Sequence, residues 1–227
     1  MSRSARSISI LACLTLVLAT VAPVAAEVLP QGLKIEKVLD AGSRLGDLAQ
    51  SPTGELWLLE QAGTIRVLEN GVEIASLTIP VSTAGDGGLL DVAFDPRHRE
   101  NGRALVSYVG ADGRLRIDDV YLDPAGLALG AMILDIGPTS SGARPGGGLA
   151  IGADGKLYVG VGDLGASGDA QDDARLAGKL LRVELDGSVP TDNPSGTLAW
   201  AKGFRFANDL AVNPTTARPE GTVYLSD

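Results

Sequence analysis

Between Arg144 and Pro194 the chain reads RPGGGLAIGADGKLYVGVGDLGASGDAQDDARLAGKLLRVELDGSVPTDNP. Three apolar runs stand within this stretch, LAI, LYVGV and LLRVEL, and Asp-Gly pairs follow the first and the third. Glycine adopts the positive φ of tight hairpin turns at no steric cost, so Asp-Gly between apolar runs indicates a hairpin. The stretch therefore predicts an antiparallel meander with a carboxylate, Asp163, at the end of its central strand.

The same strand–turn–strand pattern occurs four times along the chain. Its copies begin at Leu48, Val92, Leu149 and Leu210, at spacings of 44, 57 and 61 residues. Several short strands per repeat at this spacing are typical of β-propeller blades. The sequence predicts an all-β fold of antiparallel four-stranded blades, with one short helical turn at Asp172–Lys179.

Three segments carry a family resemblance: GDGGLLDVAFDP at 85–96, GGLAIGADGKLYVGVGD at 147–163 and GKLLRVELDGSVPTDNP at 178–194. They resemble the soluble glucose/sorbosone dehydrogenase family, and the resemblance covers roughly Gly46 to Asp227. It implies a six-bladed β-propeller that oxidises sugars with pyrroloquinoline quinone (PQQ) and binds calcium.

The length of the chain raises a difficulty for a six-bladed ring. Six blades of about 50 residues each need on the order of 300 residues, whereas this sequence supplies four blade starts. The last copy, beginning at Leu210, has room for only part of a blade before Asp227. We therefore expect about four of six blades, as in an incomplete copy or a fragment of a longer chain. A genuine four-bladed ring is the alternative.

The amino terminus has the features of a secretory signal peptide. Two arginines precede a mostly apolar segment, Ile8–Val21, and a small-residue cleavage site ends at Ala26. The sequence predicts a signal peptide at 1–26, a propeller domain at 27–227, and export to the periplasm or the extracellular space.

Composition excludes several classes of function. Removal of 1–26 leaves 17 basic and 28 acidic residues, a net charge of −11, which disfavours binding to nucleic acid. The single cysteine, Cys13, lies within the signal peptide, so no disulfide is expected. No apolar run outside that peptide is long enough to span a membrane.

The resemblance also assigns catalytic positions. It implies a histidine base in the loop before a Gly-Arg-Leu segment, and an aspartate after the next strand that orients this base. Arg144 occupies the histidine position and cannot accept a proton, because arginine stays protonated in proteins. Asp163 matches the family aspartate, although Gly-Asp is also ordinary turn chemistry at a strand end. The only histidine, His98, falls in a polar run that predicts an exposed loop.

Two further residues are candidates for contact with a cofactor. Arg205 matches the family arginine that contacts PQQ, with a surface loop arginine as the alternative. Asp86 stands in a glycine-rich turn where the family has a glutamine that contacts substrate or cofactor. The acidic residues Asp169, Asp172 and Asp173 lack the spacing of an EF-hand loop, so a solvated acidic loop is expected there and no metal site is assigned.

Two functional hypotheses follow. The first is an exported PQQ-dependent sugar or aldose dehydrogenase-like oxidoreductase, degenerate or truncated, that acts on a sugar or polyol. The second is a non-catalytic propeller that binds a carbohydrate or a protein ligand at the old pocket. Loss of the base at Arg144 favours the second hypothesis for this polypeptide, and the family resemblance favours the first for a full-length parent.

Overall fold

The computed structural model describes residues 37, 40–213, 215 and 221–227. The chain divides into two units, Met1–Lys37 and Val38–Asp227, and every described strand belongs to the second. The predicted signal peptide at 1–26 lies outside the described residues.

The described strands form four antiparallel sheets. The first contains β1 (Leu45–Gln50), β2 (Leu56–Glu60), β3 (Thr64–Glu69) and β4 (Val72–Thr78). The second contains β5 (Leu89–Phe94), β6 (Arg103–Val109), β7 (Arg114–Asp123) and β8 (Gly126–Pro138). The third contains β9 (Gly146–Ile151), β10 (Leu157–Val161), β11 (Lys179–Val183) and β12 (Ala199–Lys202). The fourth contains β13 (Asp209–Asn213) and β14 (Thr222–Ser226).

Successive sheets meet along their first strands. β1 lies beside β5, β5 beside β9, and β9 beside β13, while the later strands of each sheet extend away from this inner row. Sheets that fan out from adjacent inner strands are the blades of a β-propeller. The predicted propeller of four-stranded antiparallel blades is confirmed, with three complete blades and two described strands of a fourth.

Neighbouring blades are held together by apolar side chains between their faces. Trp57 and Ile65 of the first blade join Val106 of the second in one buried cluster. A second cluster lies between the second and third blades, and includes Ile117 and Leu181. Strands in the middle of a blade are covered on both faces, which explains why β10 is an apolar run without alternation. All five residues of β11 are buried as well, including the charged Lys179 and Arg182.

The prediction of an exposed loop at His98 is wrong. His98 begins a short helix, α1 (His98–Asn101), and only 3% of it is exposed. Its ring packs edge-on against Trp57 and Phe94, and Nδ1 lies 2.8 Å from the carbonyl oxygen of Arg103. The His98 ring is therefore part of a buried aromatic cluster and is not exposed to solvent.

The predicted helical turn at Asp172–Lys179 is also misplaced. A 3-10 helix spans Ser167–Gln171, and Lys179 already belongs to β11. The Nζ atom of Lys179 donates hydrogen bonds to the carbonyl oxygens of Asp169, Ala170 and Ala177. This buried ammonium group ties the helical turn to the blade. Within the described part of the chain, no helix is long and apolar enough to cross a membrane.

Candidate functional site

Asp163 lies two residues beyond β10, in the loop that connects β10 to β11 within the third blade. Its backbone N–H donates to the carbonyl oxygen of Arg205 at 2.9 Å, and Gly162 N–H donates to Pro145 at 3.0 Å. A side chain on Gly162 would come within 2.1 Å of the Arg144 carbonyl oxygen, so only glycine fits there. The strand exit therefore brings Asp163 against two loops that are distant in sequence.

The carboxylate of Asp163 forms an ion pair with Arg144. Arg144 Nε donates to Asp163 Oδ1 at 2.7 Å, and Gly165 N–H donates to the same oxygen at 2.9 Å. Asp163 is 1% exposed and the Arg144 side chain 30% exposed. The other oxygen, Oδ2, is buried and has no hydrogen-bond partner among the described residues. Asp163 thus retains the capacity for one more hydrogen bond.

The groups around Asp163 lower its pKa. Burial, the largest influence, opposes ionisation, but the hydrogen bonds from Arg144 and Gly165 and the charges of Arg144 and Arg205 together outweigh it. The pKa of Asp163 therefore lies below its ordinary value, and the carboxylate is ionised at neutral pH.

Arg144 is fixed through its backbone as well as its side chain. Its φ of 45° is in the left-handed region, which costs a non-glycine residue about 1–2 kcal/mol. Arg144 N–H donates to Asp86 Oδ2 at 3.2 Å, and Asp86 N–H donates to Gly142 at 3.0 Å. The glycine-rich turn of the first inter-blade loop thereby clamps the loop that carries Arg144.

Arg205 reaches the site through its backbone. Its carbonyl oxygen accepts the Asp163 N–H, and its own N–H and that of Phe206 donate to Asp227 Oδ1 at 2.8 and 2.6 Å. The Arg205 residue is exposed, and its charge helps to depress the pKa of Asp163. The charges of two guanidinium groups therefore both lower the pKa of this buried carboxylate.

All four predicted site residues converge at one end of the inner strands. Asp163, Arg144 and Asp86 form a continuous hydrogen-bonded chain, and Arg205 joins it by a backbone bond to Asp163. Their assigned roles, catalytic for Asp163 and Arg144 and cofactor-binding for Arg205 and Asp86, remain predictions.

A pocket of about 200 Å³ opens beside this chain of residues. Asp86 belongs to its lining, so the pocket adjoins Arg144 through the Asp86–Arg144 hydrogen bond. The pocket is lined by the starts of β1, β5 and β9 and by polar or aromatic side chains from the loops, namely Arg44, Gln61, Asp86, Phe206 and Asn208. Such a mixture suits a small polar ligand.

The arrangement is charged and offers no ready proton acceptor. Arg144 remains cationic, and Asp163 is ionised and occupied by Arg144, so neither group is a ready base near neutral pH. Guanidinium groups with free N–H donors favour carboxylate or phosphate ligands. Among the described residues, no group of three or more histidine, cysteine or acidic side chains is placed to hold a metal ion.

Asp47 on β1 and Asp91 on β5 were not predicted as site residues, yet each directly follows a residue that lines the pocket, Gly46 and Leu90 respectively. A signal was present, because Asp-Leu-Ala or Asp-Val-Ala begins three of the four repeats. Lys179 was missed as a buried cation, and nothing in its sequence surroundings indicates that burial.

Comparison with known proteins agrees with the fold. The family model for Glucose / Sorbosone dehydrogenase matches residues 38–219. A protein of uncharacterised function from Synechocystis is 30% identical over 225 residues, covering 86% of this chain and 55% of that protein. An aldose sugar dehydrogenase of Escherichia coli K12 is 32% identical over 153 residues, covering 57% of this chain and 38% of that enzyme.

Solved structures give the same relationship. The PQQ-bound aldose sugar dehydrogenase from Streptomyces coelicolor matches with a TM-score of 0.72 and 28% identity, covering 85% of this chain and 59% of that chain. The present chain spans about half the length of the curated relatives it matches. Since the family match runs through all three complete blades and into the fourth, the chain belongs to the glucose/sorbosone dehydrogenase family.

Proposed function

We propose that this protein is an exported, degenerate relative of PQQ-dependent sugar dehydrogenases, whose site binds an anionic ligand but supports little sugar oxidation. The observation that carries this proposal is the 2.7 Å bond from Arg144 Nε to Asp163 Oδ1. By resemblance, the family places a histidine base at position 144, and here a permanent cation stands there, paired with the aspartate that would orient the base.

The residues present fit PQQ as an anion. PQQ carries carboxylate groups. The Arg144 side chain is partly exposed, Arg205 is exposed, and the charges of both act at Asp163, so their guanidinium groups suit contact with carboxylates. When bound, PQQ supplies a quinone that accepts electrons from a substrate alcohol. Calcium is proposed only because the family resemblance implies it. None of the four site residues is assigned as a calcium ligand.

Little sugar oxidation is expected because the site lacks an effective general base. A general base typically contributes about 10²–10⁴-fold to rate and has to be unprotonated near the working pH. Arg144 cannot accept the proton of a sugar hydroxyl. Asp163 is a weak replacement, because its pKa is held below the ordinary value and its Oδ1 is already engaged by Arg144.

Purified protein supplied with PQQ and calcium should therefore reduce a dye very slowly with a panel of aldoses. PQQ binding, followed separately by equilibrium dialysis, should persist. Turnover on the order of 10 per second, which is ordinary for enzymes, would contradict the proposal.

Arg144→His tests whether only the base is missing. We expect this change to raise turnover by about 10²-fold or more if the rest of the site is intact. The matched control is Arg175→His, which changes an arginine whose side chain is 65% exposed. Continued inactivity of Arg144→His with undiminished PQQ binding would show that other catalytic groups are lacking as well.

The second candidate is a non-catalytic propeller that binds a carbohydrate. The polar lining of the 200 Å³ pocket, with Gln61, Asp86 and Asn208 beside Phe206, favours it. Calorimetric titration with sugars and polyols in the absence of PQQ distinguishes this candidate: saturable binding that Asn208→Ala weakens would support it.

Export is tested by the mature amino terminus. The signal-peptide features predict cleavage after Ala26, so mass spectrometry of the exported product should find Glu27 first. A product that retains Met1, or one that carries a lipid on Cys13, would overturn this part of the proposal.

A further inference from the structure

The loop between β10 and β11 begins and ends at one point of the third blade. Val161, the last residue of β10, pairs with Lys179, the first residue of β11. Gly178 N–H donates to the carbonyl oxygen of Gly162 at 2.7 Å and closes the base of the loop. Asp163 therefore stands just inside one end of the loop, and Lys179 directly follows the other end.

The loop wraps around the ammonium group of Lys179, which is fully buried. Nζ donates to the carbonyl oxygens of Asp169, Ala170 and Ala177 at 3.1, 3.0 and 2.8 Å. An ammonium group has three N–H donors and no acceptor, so these three bonds use its whole hydrogen-bonding capacity. The loop thus forms a cation site in which the cation is a side chain.

Carboxylates of the loop act on this ammonium group as charges. Burial, the largest influence, lowers the pKa of Lys179, while the charges of Asp173, Asp172 and Asp169 oppose that shift. Asp173 is exposed and forms its own ion pair with Lys202 at 2.7 Å. The hydrogen-bond acceptors that fix the ammonium group are therefore the three backbone carbonyls.

A short run of hydrogen bonds leads from the ammonium group to Asp163. Asp169, whose carbonyl oxygen binds Lys179, donates its N–H to the carbonyl oxygen of Ala166 at 2.9 Å. Ala166 N–H donates to the carbonyl oxygen of Asp163 at 2.8 Å, and Gly165 N–H donates to Asp163 Oδ1 at 2.9 Å. The turns between Asp163 and Asp169 are thus held at both ends.

A second connection runs through Gly178. A Cβ atom on Gly178 would lie 2.4 Å from that of Ala170, so the 3-10 helix packs closely on this glycine. The Gly178 carbonyl oxygen accepts from Phe204 N–H at 3.1 Å, and the next residue, Arg205, accepts the Asp163 N–H. The loop therefore also contacts the segment that binds the backbone of Asp163.

We propose that Lys179 is a positioning residue for the candidate site. Its ammonium group draws three carbonyl oxygens together, and this holds the loop in the conformation in which Gly165 and Arg144 both bind Asp163 Oδ1. The inference rests on the proposed function only for the importance of the Arg144–Asp163 pair to a ligand, because the positioning itself can be measured without one.

The test replaces Lys179 by alanine in the full chain and follows the ionisation of Asp163. Carboxyl carbon NMR of protein labelled on aspartate gives this titration, and Asp163→Asn identifies the signal. When the loop relaxes, Asp163 should lose contacts that favour its ionised form, so its ionisation constant should fall about tenfold.

The matched control is Lys202→Ala, which removes a positive charge next to the same loop from a half-exposed position. It should change the ionisation constant of Asp163 by less than about twofold, because exposed charges are screened. An equal fall in the two lysine variants would show a general effect of charge and overturn the positioning role.

Rescue by a free cation separates positioning from a general loss of stability. Lys179→Ala leaves a space lined by three carbonyl oxygens, and ammonium chloride should refill it and restore the wild-type titration of Asp163. Tetramethylammonium chloride at equal ionic strength should not, because this ion is larger and has no N–H donor. Equal effects of the two salts would overturn the cation site.

Lys179→Met covers the case in which the alanine variant does not fold. Methionine fills much of the same space without N–H donors, so the ionisation constant of Asp163 should again fall about tenfold, and ammonium should not reverse the change. An unchanged titration of Asp163 in Lys179→Met would overturn the proposal.

Parallel equilibrium dialysis with PQQ keeps this inference distinct from the proposed function. Failure of the wild-type protein to bind PQQ would contradict the proposed function, whereas the titration of Asp163 would still decide the role of Lys179.

Discussion

Arg144 is held at both ends, by Asp86 through its backbone N–H and by Asp163 through its guanidinium group. Asp86 comes from the loop between the first two blades, and Asp163 from the loop between β10 and β11 of the third blade. The arginine therefore links two loops as well as supplying a charge. Its left-handed backbone is tolerated because these bonds oppose a cost of about 1–2 kcal/mol. The same rigidity fixes the guanidinium group beside the pocket.

Removal of the partner carboxylate should be costly. We expect Asp163→Ala to lower the free energy of unfolding by about 1–3 kcal/mol at pH 7, since a charge-assisted hydrogen bond and the acceptor for Gly165 N–H are lost. Because the folded pKa of Asp163 is lowered, its contribution is present above the unfolded value near ~3.9 and is lost as pH falls below it.

Urea unfolding at pH 7 and pH 3 measures this difference. Asp173→Ala is the control, because Asp173 pairs with Lys202 at the surface with its side chain 81% exposed, and such pairs contribute little. Equal destabilisation by the two variants at pH 7 would show that the Arg144–Asp163 pair adds nothing beyond a surface contact.

At the scale of elements, the turn at 84–87 and the loop at 139–145 pack against each other through their backbones. Asp86 N–H donates to Gly142, and a side chain on Gly142 would lie 1.8 Å from the carbonyl oxygen of Ala84. Gly142 also has a φ of 71°, which favours glycine. This contact sets where Arg144 stands, and it depends on the absence of a Cβ atom.

Comparison of Gly142→Ala with Gly113→Ala should separate the energetic cost of steric crowding from the cost of backbone strain. We expect a loss of about 3 kcal/mol in stability, because strain and a steric clash add together. Gly113→Ala is the matched control: Gly113 has a φ of 78°, but nothing lies within 4 Å of the added carbon, so a loss of about 1 kcal/mol is expected. Calorimetric melting of both variants measures the difference, and equal losses would refute close packing of the two segments.

At the scale of the whole molecule, the blades differ in how fully they are covered. All five residues of β10 are buried, whereas residues of β14 are half-buried or exposed. The cluster that joins the fourth blade to the third has a small buried centre, formed by Tyr158, Leu180 and Leu210. Local opening is expected to begin where few apolar contacts would be lost.

Hydrogen exchange should show this gradient. Backbone amides of β14 should exchange at least about tenfold faster than those of β10, since a smaller unit has to open. β2, which is almost fully buried in the first blade, is the internal control and should exchange like β10. Equal protection of β14 and β10 would show that the two described strands of the fourth blade open only with the rest of the molecule.

The sequence by itself determined the repeated blades. Short apolar runs, Asp-Gly turns and the copies beginning at Leu48, Val92, Leu149 and Leu210 are local signals, which can be recognised without knowledge of the tertiary contacts. The resemblance added Asp163, Arg144, Arg205 and Asp86, which the fold does bring to one end of the inner strands.

Only the tertiary structure decided what those residues touch. Asp86 and Arg144 are 58 positions apart, and so are Asp91 and Leu149, so no local pattern indicates either bond. His98 and Lys179 look like surface residues by type, yet both are buried because neighbouring segments supply an aromatic cluster and three carbonyl oxygens. The Asp86–Arg144 and Asp91–Leu149 bonds join segments that are distant in sequence, and such segments come together only when the blades pack.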